Sequence, residues 1–215
     1  MPSEDELRRR YGVSRMTVRH AVDRLVNAGL VVRRQGVGTF VASTKVERVA
    51  SSLLGFAEDA QAHGLDPATE VLSQAFEPAG EQDAGLLEAS PDDTVYRVQR
   101  LRSIGGEAIG LNTVVVAPAF ARALERIDYV ASFYQGVATA LGQEVSHADQ
   151  TIEATVTDGK TAKLLGTPAG SAMLRVTRVT YLADGRRVGL TRSLYRGDRY
   201  YLSVTIRRSE PGASG

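Results

Sequence analysis

The sequence predicts an α+β protein in two modules, a small basic one at the N-terminus and a larger antiparallel-sheet module after it. Three observations lead there. Charge is unevenly spread: residues 1–48 hold ten Lys and Arg against five Asp and Glu, a balance of +5, while the remainder hold sixteen against twenty, a balance of −4. Residues 1–42 read as two short helices and a glycine hairpin, and residues 43–52 that follow are small and polar, as in an interdomain connection. From residue 53 onward, strand-like runs join through glycine turns with helices grouped between them, the pattern of an antiparallel α+β domain.

Ser3 with Glu6 three residues later is a capping box, so the first helix starts near Glu4 and ends at Gly12. Ser14 is the next N-cap. Apolar residues at Val18, Ala21, Val22, Leu25 and Val26 then make the i, i+3, i+4, i+7, i+8 stripe of an amphipathic helix, stopped by Gly29. Two helices meeting at a short glycine turn read as a helix-turn-helix. Arg15, Thr17 and Arg19 flank the stripe at the end of the second helix that reaches base edges in such motifs. Runs at 30–34 and 39–41 around Gly36 and Gly38 form a hairpin, a wing whose Arg33, Arg34 and Gln35 suit a phosphate backbone or a minor groove.

In the second module the pattern predicts a helix at 54–63, a strand at 69–76, a helix at 81–88, and a hairpin of 95–103 with 108–116 around Gly105-Gly106. Helices follow at 119–127 and 132–141, a long alternating strand at 144–157, and a short helix at 159–165. A second hairpin of 172–182 with 187–195 turns at Asp184-Gly185, and 200–206 closes the module. The halves repeat. Shifted by 78 residues, Ala84 falls on Ala162, Leu86-Leu87 on Leu164-Leu165, Arg97-Val98 on Arg175-Val176 and Arg100 on Arg178. One residue further, Gly110-Leu111 falls on Gly189-Leu190. Two related halves leave a cleft between them, a common ligand site.

Arg100 and Arg102 lie two apart on one strand and share a face, where they could clamp a carboxylate or phosphate or pair with Glu107, Glu153 or Asp198. Glu153 is a mid-strand carboxylate, suited to a ligand hydroxyl or to an arginine. Arg192 and Tyr195 end the second hairpin, with the Tyr195 hydroxyl in reach of a ligand.

Composition removes other chemistries. The 215 residues include no cysteine, so disulfides, thiolate zinc sites and thiol nucleophiles are excluded. The histidines, His20, His63 and His147, are scattered, and no Ser/His/Asp set, metal site or phosphate loop is visible, so no cofactor is expected. The acidic start is no signal peptide, and the charge-free stretches at 108–121 and 129–143 are shorter than a span requires, which points to the cytosol.

The blocks Pro2-Ser3-Glu4, Tyr11-Gly12-Val13-Ser14-Arg15-Met16-Thr17-Val18-Arg19, Ala28-Gly29-Leu30 and Gln35-Gly36-Val37-Gly38-Thr39-Phe40-Val41 resemble the DNA-binding domain of the GntR family of bacterial transcription regulators. The resemblance implies operator contacts from Ser14, Arg15, Thr17, Arg19, Arg34, Gln35, Gly36 and Gly38. It also implies a further helix before Pro2, where this chain begins, and a basic residue where Asp5 stands. Leu54-Gly55-Phe56, Tyr96 to Arg102, Ile152-Glu153-Ala154, Leu164-Leu165-Gly166 and Ser193 to Tyr200 are similar to the UTRA domain of the HutC branch of that family, a domain of chorismate lyase-like fold over 53–208. This likeness implies a small anionic effector, such as a sugar phosphate or carboxylate, lined by Arg100, Arg102, Glu153 and Tyr195. Many members carry a glutamate where Asn112 stands, and an uncharged amide disfavours a cationic ligand. The expectation is a homodimeric regulator, of repressor type, on a palindromic operator, dimerised through the second module. The alternatives are a chorismate lyase-like enzyme, or a ligand binder with a degenerate DNA-binding head.

Overall fold

The computed structural model describes residues 2–27, 31–34, 38–41, 45–49 and 53–206, and forms two compact units, Met1–Lys45 and Val46–Gly215.

In the first unit α1 spans Glu4–Tyr11 and α2 spans Arg15–Asn27. The expected capping box is present: the Glu6 amide donates to Ser3 Oγ at 3.2 Å, and the Ser3 amide donates to Glu6 Oε2 at 2.8 Å. Gly12 ends α1 at φ 64°, a left-handed conformation that costs glycine little. Strands β1 (Val31–Arg34) and β2 (Gly38–Val41) pair antiparallel, with Val31 opposite Val41 and Arg34 opposite Gly38. Val18, Val22 and Val31 are buried, with Leu7 and Val26 packed on them. Ala21 and Leu25 of the expected stripe are exposed, because α1 and the hairpin cover only its Val18–Val22 side.

The second unit holds the expected elements in the expected order. These are α3 (Phe56–Ala62), β4 (Pro67–Pro78), α4 (Gly80–Leu87), β5 (Thr94–Ile104), β6 (Glu107–Val116), and the helical turns Pro118–Phe120 and α5 (Ala121–Leu124). They continue with α6 (Phe133–Leu141), β7 (Val145–Val156), α7 (Gly159–Leu164), β8 (Ala172–Leu182), β9 (Arg187–Arg196) and β10 (Tyr200–Ser203). A strand that sequence periodicity does not reveal, β3 (Val46–Val49), lies inside the segment read as a connection and pairs parallel with β10. Its four residues, Val-Glu-Arg-Val, are too few to show alternation, and its partner lies about 150 residues away.

The main sheet is antiparallel throughout, in the order β4-β5-β6-β9-β8-β7. The internal repeat is structural. Strand β4 maps on β7 and β5 on β8 at the same 78-residue shift, and the halves meet at the central β6–β9 pair. Gly110 and Gly189, aligned by the repeat, both sit at close approaches: a Cβ on Gly110 would lie 2.5 Å from the Tyr195 ring, and one on Gly189 2.5 Å from the Val115 carbonyl oxygen.

Residues opposite one another across the ladder share a face, and successive rungs alternate faces. One rung runs Arg100, Asn112, Ser193, Val176, Ile152; the next runs Gln99, Thr113, Arg192, Thr177, Thr151. On the first face Tyr96, Val98 and Val114 join Phe120, Leu124, Tyr129, Phe133 and Val137 in the main core. On the opposite face α4 is fixed by Asp83, 3% exposed, which accepts from Arg97 Nη2 at 2.8 Å and from Arg192 Nη1.

Candidate functional site

In the first unit, Ser14 caps α2: its hydroxyl accepts from the Thr17 amide at 3.1 Å and lies 2.9 Å from Thr17 Oγ1. That bond starts the helix and presents its first turn. Arg15, Thr17 and Arg19 are all exposed, and among the described residues no carboxylate pairs with either arginine. Arg33 differs from expectation. It is held by Glu4 at 3.2 Å and Asp23 at 3.0 Å, so it pins the hairpin to both helices. Gly38 closes the strand pair at φ 133°; Gln35, Gly36 and the Arg34 side chain lie outside the described residues.

In the second unit one cavity opens on the Arg100 face of the sheet. Four of the six sequence-derived effector residues line it: Arg100, Arg102, Asn112 and Tyr195. Arg100 is 2% exposed and donates from Nε to Asn112 Oδ1 at 2.9 Å and from Nη1 to the Tyr129 carbonyl at 2.9 Å. The Asn112 amide in turn donates to Ser193 Oγ at 2.8 Å, which fixes its oxygen toward Arg100. Asn112 is therefore the partner that orients the arginine. Arg102 donates to Thr69 Oγ1 and lies 4.9 Å from the Phe56 ring centre.

Glu153 and Arg192 do not join them. Glu153 pairs in register with Arg175 and falls one rung from Ile152, so it points to the other face. Arg192 sits three residues from Tyr195 on the same strand, which also reverses its face, and its guanidinium is committed to Asp83. Both line a separate shallow hollow with Gln82, Thr151, Arg175 and Thr177.

Residues not singled out from sequence complete the cavity. Arg178 donates to Gln150 Oε1 at 3.1 Å and to the Tyr134 hydroxyl at 2.7 Å. The repeat that aligns Arg100 with Arg178 carried its signal. Ser132, the residue before α6, also lines this cavity, and its buried hydroxyl has no hydrogen-bond partner among the described residues. The free amides at the start of α6 add partial positive charge there. Burial, and then the charge of neighbouring Arg102, push the Arg100 guanidinium down to about 9. Among the described residues no carboxylate lines the cavity. Among the described residues the hydrogen bonds of Arg100 and Arg178 go to neutral oxygens.

Both units match known families. Residues 1–41 match the bacterial regulatory proteins of the gntR family, and residues 62–201 match the UTRA domain. The transcriptional repressor NagR of Bacillus subtilis is 30% identical over 93% of this chain and 82% of its own length. The transcriptional repressor PhnF of Mycolicibacterium smegmatis is 32% identical over 95% of this chain and 83% of its own.

The chain belongs to the GntR family of bacterial transcription regulators.

Its UTRA domain places it in the HutC branch, and the histidine utilization repressor of Pseudomonas putida is a further relative, 27% identical over 94% of the chain and 81% of its own. The crystal structure of PhnF from Mycobacterium smegmatis superposes with a TM-score of 0.76 at 30% identity, covering 97% of this chain and 92% of that one. This GntR protein is thus a DNA-binding regulator with an effector domain rather than an enzyme. Among the described residues no helix is long and apolar enough to cross a membrane.

Proposed function

We propose that this regulator is a homodimeric repressor of a palindromic operator, released or retained by a small anion seated among Arg100, Arg102 and Arg178. The observation that carries the reading is the convergence of three largely buried guanidiniums on one cavity, where no carboxylate is among the described lining residues. A buried cation is costly unless paired, and an anion there offsets that cost for Arg100 and Arg178, whose hydrogen bonds go to neutral oxygens. Because Glu153 faces away, no described lining residue repels a second negative charge, and the charge of the site suits a dianion such as a phosphate group. Ser132, Ser193 and the Tyr134 hydroxyl supply polar contacts for the rest of the ligand, and Phe56 and Phe133 an apolar wall. On the DNA side, Arg15 and Arg19 contact bases or phosphates from the start of α2, and Thr17 reaches the backbone. One such head makes a small interface; two, a helical turn apart (~34 Å), supply the specificity a repressor needs, with the second unit joining the copies.

Isothermal calorimetry with inorganic phosphate and a sugar phosphate tests the effector site. Wild type should bind with a saturable heat, and Arg178→Met should lose it. Equal binding by both proteins would remove the cavity as the anion site.

A further inference from the structure

The regulatory reading requires a route from the cavity to the segment that leads to the DNA-binding unit. We propose that the stacked rings of Tyr195 and Tyr200 are that route, coupling the effector cavity to strand β3. The inference rests on the effector reading above and adds its mechanism.

Tyr195 lines the cavity. Its ring stacks on Tyr200 with centres 3.9 Å apart and planes 12° from parallel, and both side chains are 2% exposed. The stack exists because position 110 is glycine; any side chain there would occupy the place of the Tyr195 ring. Tyr200 opens β10, whose parallel partner is β3, with Tyr200 in register with Val46. The Val46 amide donates to the Arg199 carbonyl at 2.7 Å. A second apolar cluster then joins both ends: Phe56, Val176 and Tyr195 from the cavity wall pack with Val46 and Tyr200. Val46 directly follows the last residue of the first unit, so a change in β3 reaches that unit through the covalent backbone.

The turn between the two tyrosines cannot absorb a displacement. Arg196, 7% exposed, ties it down with bonds to Asp198 at 2.8 Å and Glu107 at 3.0 Å, and the Arg199 amide donates to the Arg196 carbonyl at 3.1 Å. An anion that draws Arg102 from its place over Phe56 disturbs the same cluster from its other side. Interdigitated side chains shift as a body rather than yield one at a time, so the cavity and β3 share one packing arrangement. The anion biases that arrangement only to the extent that it binds one form more tightly.

Hydrogen exchange at Val46–Val49 in the full-length chain is the test, with inorganic phosphate as the probe. In wild type, saturating phosphate should change exchange at those amides about fivefold or more, the lower end of ordinary allosteric coupling. Tyr200→Leu should keep the calorimetric phosphate affinity and lose the β3 response, while Tyr200→Phe, which keeps the ring, should keep both. A β3 response that survives Tyr200→Leu, or phosphate that alters exchange around the cavity but not at β3, overturns the relay. Absence of any phosphate binding by wild type refutes the effector reading instead. The relay then stands or falls on Arg102→Met, which should alter β3 exchange without ligand and does so only if the cavity and β3 are coupled.

Discussion

Replacing Arg100 by methionine separates a ligand-binding cation from a structural one. The side chain is 2% exposed, and burial holds its guanidinium down at about 9, well below the ordinary arginine range. At 1.36 kcal/mol per tenfold change in acidity, keeping it charged near neutral pH costs the fold roughly 5 kcal/mol. Methionine removes that cost and fills much of the volume. Against the gain, the Asn112 side-chain oxygen and the Tyr129 carbonyl lose their donor, at about 1–3 kcal/mol each. The terms nearly cancel, so Arg100→Met should leave unliganded stability within about 2 kcal/mol of wild type, whereas breaking a buried structural ion pair costs about 3–5 kcal/mol. Phosphate at a hundredfold excess over its dissociation constant should stabilise wild type by about 2.7 kcal/mol and the variant not at all. In a thermal melt that gain is roughly 5–10 °C for a domain of this size. The pH dependence has a definite sign. Since the folded value lies below the unfolded one, the native chain gives up this proton from about pH 9 upward while the unfolded chain still holds it, and the penalty fades as pH rises from there toward the ordinary arginine range. Wild type should therefore gain on the variant between about pH 8 and about pH 10.5, measured by urea unfolding of both. An unliganded loss above about 4 kcal/mol with the phosphate effect intact would show that Arg100 is a structural cation after all.

Other outcomes follow from the same geometry. Asp83→Asn should cost about 3 kcal/mol by denaturant titration, the low end for a broken buried pair because Arg97 and Arg192 reach solvent, and should leave phosphate affinity unchanged, since Asp83 faces the opposite side of the sheet. Arg19→Ala should weaken operator binding by roughly 1–3 kcal/mol in fluorescence anisotropy and relax selectivity at one base if it bonds a guanine; if it contacts phosphate it should instead weaken all sequences alike and flatten the salt dependence. The two hydrogen bonds from Arg196 hold the Asp198 carboxyl below its ordinary value, so its contribution is present above about pH 4 and is lost as pH falls through the folded value. Asp198→Asn should accordingly flatten the acid side of the stability profile.

The element order and the two-unit division were legible because the signals are local. The Ser3–Glu6 box, the helix stop at Gly12 and the turns at Gly105-Gly106 and Asp184-Gly185 each act within a few residues. The Arg100–Arg102 pair was legible for the same reason, since alternation along one strand puts them on one face. The same rule sets Arg192 apart from Tyr195, three residues away. Glu153 is a different case: its face depends on the register of β7 against β8, which no local pattern fixes. The β3–β10 pair was hidden because it is parallel, short and distant in sequence. Arg178 was within reach through the repeat, which equates it with Arg100 in both sequence and structure. Ser132 carried no signal, since an N-cap serine looks the same whether its hydroxyl caps the helix or faces a ligand.

The central claim is that the arginine cavity of the second unit is where the regulator senses its anion. A crystal structure of the full chain grown with phosphate tests this most directly. Phosphate should lie within hydrogen-bond distance of Arg100, Arg102 and Arg178, with the Ser132 hydroxyl turned toward it. A phosphate seated instead in the hollow beside Glu153, Arg175 and Arg192, with the three-arginine cavity holding only water, would contradict it.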